Sequence, residues 1–131
     1  MKKILIWVLL AFLGLSSGCK AQDTIPLLTP DEYERAVAAD TTAVVIDVRK
    51  ADEFAEGHVM NARLLDVLDT ADFDAGIRHL DKSNTYYLYC RSGRRSHNAA
   101  LKMHEQGLKV VDMKGGILAW KAAGKPIVSG R

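Results

Sequence analysis

The chain has 131 residues, 48% of them hydrophobic and 26% charged, with a formal net charge of +2. That is about one small domain's length. Lys2 and Lys3 supply the positive excess, so the rest is balanced and has no global basis for gripping nucleic acid.

In chain order, those two lysines precede an uninterrupted apolar run, Ile4 to Leu15, then small residues and Cys19. The run is too short to span a bilayer, and the basic-apolar-small order is that of a secretory signal. Leu15-Ser16-Ser17-Gly18-Cys19 resembles a bacterial lipoprotein box, although the family's usual leucine is replaced by Ser16. The resemblance implies lipidation of Cys19 and a membrane anchor made stable by several acyl chains. Cleavage after Ala21 is the alternative. The expected organisation is a signal over 1–18, a tether over 19–28 and one domain over 29–128. The protein is expected in the cell envelope, as a periplasm-facing lipoprotein or a soluble periplasmic protein.

The domain opens with Thr29 as N-cap, Pro30 at the first helical position and Glu32 in the reciprocal place of a capping box. "AVVIDVR", 43 to 49, reads as a buried strand. "KADEFAEGH" reads as a short helix closed by Gly57, and residues 62 to 67 as a short strand. A helix is expected from about Asp72 to Leu80, with Phe73, Ile77 and Leu80 on one face. "NTYYLYC" is the next strand, with Tyr86, Leu88 and Cys90 alternating against Tyr87 and Tyr89. Ala99, Ala100 and Met103 then fall at helical spacing up to Gly107. "LKVVDM" is a further strand, and "GGILAWKAAG" a last helix with a structural role. Strands separated by helices imply an α/β domain with a mainly parallel sheet, whose ligands sit beyond the carboxyl ends of the strands. Cys90 occupies such a point.

The chain has two cysteines. With Cys19 lipidated or removed, Cys90 is left without an internal disulfide partner, which suggests a free reactive thiol. The competing reading is a buried cysteine acting as a small hydrophobe, but Cys90-Arg91-Ser92-Gly93-Arg94-Arg95-Ser96 is too polar for core. If a helix starts near Arg94 to Ser96, its opening amides form an anion site worth about 0.3–2 kcal/mol. Nearby positive charges lower a thiol's pKa by about 1–3 units, the larger effect. Gly93 lets the chain curl around the sulfur. The stretch therefore reads as a nucleophile in an anion cradle. His97, inside the helix, is read as solvated rather than as a general base, as are His79 and His104; His58 is read as capping or packing. No metal-ligand spacing and no nucleotide phosphate loop occurs, so neither metal nor cofactor is expected.

Three blocks resemble the single-domain rhodaneses, in that family's order. They are Val45-Ile46-Asp47-Val48-Arg49 with Glu53-Phe54 and Gly57-His58-Val59, then Cys90 to Ser96, then Gly115-Gly116-Ile117 with Ala119-Trp120. Where the family commonly continues G-H-I-P-G-A, Met60-Asn61-Ala62 follows Val59 here. The resemblance implies a five-stranded sheet flanked by helices on both faces. It also implies a sulfurtransferase that loads the sulfane sulfur of a small anionic donor, such as thiosulfate, onto Cys90 as a persulfide. The sulfur would pass to cyanide, a thiol or a protein acceptor. Arg91, Ser92, Gly93, Arg94, Arg95 and Ser96 would bind substrate, with Arg95 the best candidate for the anion and Asp47 and Arg49 bracing the loop. Phosphatases and arsenate reductases of the same fold place five residues between cysteine and arginine. Four separate Cys90 from Arg95, which favours sulfur. A persulfide carrier or binding module without turnover is the reading from another class.

Overall fold

The computed structural model describes residues 24–131. The secretory signal, its cleavage point and Cys19 lie outside the described residues.

The elements run β1 (Leu27–Leu28), α1 (Pro30–Ala39), β2 (Ala43–Asp47), α2 (Ala51–Glu56), β3 (Arg63–Leu64), α3 (Thr70–Arg78), β4 (Thr85–Tyr89), α4 (Arg94–Glu105), β5 (Lys109–Met113) and α5 (Gly116–Ala122). The five strands form one sheet in the order β1-β5-β4-β2-β3, and every neighbouring pair is parallel. β4 is thus the central strand. The expected five-stranded α/β sheet with helices on both faces is the one observed.

The alternation read in "NTYYLYC" decides the layering, because successive side chains on a strand point to opposite faces. Tyr86, Leu88 and Cys90 join Phe73 and Ile77 of α3 and Ala99, Ala100 and Met103 of α4 in one buried cluster. Tyr87 and Tyr89 join Tyr33 of α1 and Ile117 and Trp120 of α5 in the other. At the start of α1 the Thr29 hydroxyl accepts from the Glu32 amide at 3.3 Å, and Glu32 accepts from the Thr29 amide at 3.0 Å.

Three expectations are corrected. The tether does not run to residue 28: Leu27–Leu28 is an edge strand beside β5, with the Asp112 amide donating to Pro26 and the Lys114 amide to Leu28. Without it the outer edge of β5 would present unpaired backbone groups. α3 begins at Thr70, not Asp72, because the Asp69 side chain accepts from the Asp72 amide and caps the helix earlier. The strand expected over 62–67 shrinks to Arg63–Leu64. Beyond it the amides of Leu65 and Val67 still donate to the carbonyls of Asp47 and Val48, so the chain stays tied to β2 in irregular form.

The departure at Met60-Asn61 leaves the turn intact. The Ala62 amide donates to the Val59 carbonyl at 3.0 Å, and Asn61 is the one non-glycine residue with positive φ, at 69°, among the described residues. That is the third position of a turn, where a left-handed residue must be Gly or Asn. Asparagine takes over the role of the family's glycine.

Candidate active site

β4 ends at Tyr89, so Cys90 is the last inward-facing position of the alternation. It is 1% exposed and packs in the cluster that holds Leu88 and Ala99. The expectation that a polar stretch keeps it out of the core is corrected. Polarity begins only at Arg91: Arg91, Ser92 and Arg94 are exposed, while the thiol forms the floor beneath them. The sulfur is not in a purely apolar setting, since the Gly93 amide donates to Sγ at 3.0 Å. Gly93 has φ 118°, in the left-handed region that lets the chain fold back over the sulfur. It is also the N-cap of α4, whose first amides have no carbonyl of their own helix to bond.

The other wall is α5. Its Ile117 amide donates to the Cys90 carbonyl at 2.9 Å and its Leu118 amide to the Arg91 carbonyl at 3.1 Å. A trans peptide directs its N–H opposite to its C=O. Holding these two carbonyls toward α5 therefore turns the amides of Arg91 and Ser92 away from it. Gly116 makes the approach possible: a Cβ there would lie 2.4 Å from the Arg91 carbonyl oxygen and 2.6 Å from that of Cys90. The Gly-Gly pair, read from the sequence as structural, is the clasp of the cysteine loop.

The three arginines differ sharply. Arg91 and Arg94 are exposed. Arg95 forms a two-pronged pair with Glu53, Nη1 to Oε1 at 2.7 Å and Nη2 to Oε2 at 3.0 Å, with both side chains about one-fifth to one-quarter exposed. The Glu53 hydrogen bonds do most to raise the Arg95 pKa, and its nearness to Cys90 adds to this. Hydrogen bonding from Arg95, helped by the Lys50 amide, holds the Glu53 carboxyl down at about 2.

Asp47 and Arg49 are buried and paired. Arg49 donates from Nε and Nη2 to Asp47 and from Nη2 to the Gly57 carbonyl at 2.7 Å. Their hydrogen bonds run to each other and to the Gly57 carbonyl, and the Arg49 guanidinium lies 5.7 Å from the centre of the Tyr89 ring, whose phenol oxygen accepts from the Val59 amide. The pair thus lies beside Tyr89, the residue before Cys90. His58 stacks on Phe54 with ring centroids 3.7 Å apart and Nδ1 2.8 Å from the Phe54 carbonyl, a packing role as read; His97 is exposed on α4.

Two residues near the site received no role from the sequence. Glu53 appeared there only as a family landmark. Its signal was its place three residues after Lys50, where it caps α2 and faces across to α4. Asp112 is a carboxylate at an inward position of β5, 4% exposed, accepting from the Met113 amide at 2.9 Å. Burial raises its pKa, with the nearby Ser96 hydroxyl and the Met113 amide only partly offsetting this. The folded state therefore favours the protonated form, and stability declines as pH rises through the carboxylate range. Asp112→Asn keeps an acceptor without the charge. It is expected to raise the thermal midpoint at pH 7 and to lose that advantage at pH 3; an unchanged difference across this range would contradict the assignment.

The central strand of this parallel α/β sheet ends at one buried thiol, which accepts from the amide of the residue that caps the next helix. The chain belongs to the family of rhodanese-like domains, whose model matches residues 29–123. YtwF of Bacillus subtilis is 38% identical over 90 residues, covering 69% of this chain and 84% of that protein. The thiosulfate sulfurtransferase GlpE of Pseudomonas putida is 35% identical over 94 residues, covering 71% and 83%. Among solved structures, a rhodanese-like domain protein from Staphylococcus aureus superposes with a TM-score of 0.65 at 28% identity, covering 73% of this chain and 91% of that one.

Proposed function

We propose that this protein is a sulfurtransferase that accepts a sulfane sulfur from thiosulfate or a similar anionic donor on Cys90. The observation that carries the reading is the Gly93 amide directed at Sγ from a loop whose opening carries two exposed arginines. The Cys90 thiolate attacks the outer sulfur of the donor. The sulfur–sulfur bond of thiosulfate breaks, and its electron pair leaves with sulfite. The persulfide's outer sulfur is then taken by a cyanide or thiolate nucleophile, the bond to Cys90 breaks, and the thiolate is restored. Sulfite and thiosulfate are both anions, which gives a cationic rim its use, and the Gly93 amide aimed at the sulfur stabilises the charge that moves onto and off it.

Intact mass after incubation with thiosulfate tests this. A gain of one sulfur atom, lost again on adding cyanide with release of thiocyanate, is the expected result. Uptake without release to cyanide or small thiols would make the protein a carrier for a protein acceptor. Turnover of an aryl phosphate in place of thiosulfate, or an unmodified mass, would overturn the reading.

We propose further that the protein is exported and anchored through Cys19, on the strength of the basic-apolar-small leader and the lipoprotein-like box. Growth with a clickable palmitate analogue is expected to label the wild-type chain and not Cys19→Ala. An unlabelled wild type would leave cleavage after Ala21 in its place.

A further inference from the structure

We propose that Glu53 is a positioning residue of the active site: it holds Arg95 as a clamp between α2 and α4, and the donor anion is met by Arg91 and Arg94 instead. This rests on the sulfurtransferase reading above, and it reassigns the arginine that the sequence favoured for the anion.

The three guanidinium groups of the loop differ in what they have left to offer an anion. Arg95 commits both Nη atoms to the two Glu53 oxygens, the fork-to-fork arrangement that gives the strongest and most directional ion pairs. Glu53 is itself fixed, because Oε1 also accepts the Lys50 amide at 3.0 Å. The clamp therefore runs from the backbone at the start of α2 to the first turn of α4, joining the loops that follow β2 and β4, which are neighbours in the sheet. Glu53 takes two of the five N–H groups of Arg95 and neutralises its charge, so an anion approaching the remaining N–H groups would face the paired carboxylate, a like charge. Arg91 and Arg94 carry no such obstacle. Both are exposed, and neither side chain makes a hydrogen bond or ion pair with any other of the described residues. In the chain they stand directly after Cys90 and directly after Gly93, whose amide meets the sulfur.

A pair that clamps the loop must be nearly neutral, or its field would compete with the rim for the anion. The Glu53–Arg95 pair stays neutral from alkaline into acidic solution, since the Arg95 hydrogen bonds hold its carboxyl down at about 2.

A double-mutant cycle on the full chain, with thiosulfate and cyanide as substrates, separates the roles. Glu53→Gln and Arg95→Gln are each expected to lower kcat by about tenfold or more while KM for thiosulfate stays within about twofold, as loss of positioning does. The double variant is expected to be no worse than either single, because both remove one interaction. Arg91→Gln with Arg94→Gln, exposed changes that leave the fold alone, is expected to raise KM for thiosulfate by about 10-fold or more. A large rise in KM for Arg95→Gln alone, with Glu53→Gln leaving or lowering KM, would make Arg95 the anion ligand and overturn the proposal. So would an unchanged KM for the Arg91/Arg94 variant, which also holds if the clamp variants fold poorly. Failure of the wild type to take up sulfur is a different result, striking the sulfurtransferase reading itself.

Discussion

Cys90→Ser is expected to abolish sulfur uptake and to lower thiosulfate:cyanide turnover by at least about 10³-fold, the scale of loss when a covalent nucleophile is removed. A serine hydroxyl is not ionised near neutral pH and forms no stable bond to a sulfane sulfur, so no intermediate can accumulate. The fold should hold. The substitution is close to isosteric, and the Gly93 amide that donates to Sγ at 3.0 Å can donate to Oγ. A shift of no more than about 1 kcal/mol is expected for so small a change. Peptide mapping of the sulfur-loaded wild type makes the test sharper. The added atom should lie on the peptide containing Cys90, not on the one containing Cys19. Sulfur found on Cys19, or turnover surviving in Cys90→Ser, would move the chemistry away from this loop.

Gly116→Ala is expected to cost about 3 kcal/mol of stability and to cut turnover by about 10²-fold. Two effects add on the stability side. The residue has φ 61°, where a side chain costs about 1–2 kcal/mol, and overpacking adds about 1–3. The added methyl would meet backbone, 2.4 Å from the Arg91 carbonyl oxygen, and backbone cannot swing aside as a side chain can. The strain must be relieved by moving α5 away from the cysteine loop, which breaks the Ile117–Cys90 and Leu118–Arg91 bonds. Displacing a nucleophile by about 1 Å is enough for a hundredfold loss. Gly124→Ala is the control. Its φ is 74°, yet nothing lies within 4 Å of the added methyl, so it carries the backbone penalty alone. It should lose stability without a matching loss of turnover. Wild-type turnover in Gly116→Ala would mean that α5 does not shape the site.

Sequence reading went furthest where the physics is local. The capping box at Thr29-Glu32, the two faces of "YYLYC" and the helix start at Arg94 all follow from neighbours within a few residues, and the structure places them as read. It went astray where long-range pairing decides. Leu27–Leu28 has no strand signal of its own and is a strand because β5 has an open edge. The stretch after Leu64 reads as strand but has only one neighbour, β2, and leaves regular pairing. Cys90 was misplaced for a related reason: the polarity of its loop lies entirely after it, and its burial is inherited from the strand before it.

Within the site, residue types alone carried the thiol, the glycine that bends over it and the surrounding positive charge, because each depends on properties a few bonds away. Which arginine is free and which is committed did not follow from the sequence. The partner that commits Arg95 is Glu53, brought there by the parallel pairing of β2 with β4. The clasp at Gly116 is of the same kind, since its need for a missing side chain comes from a carbonyl many residues away. The amino-acid sequence by itself determined the proposed nucleophile, Cys90, and the strand and helix on either side of it. Only the tertiary structure decided what surrounds the nucleophile, because that depends on which strands lie side by side, and strand neighbours are chosen by burial over the whole sheet.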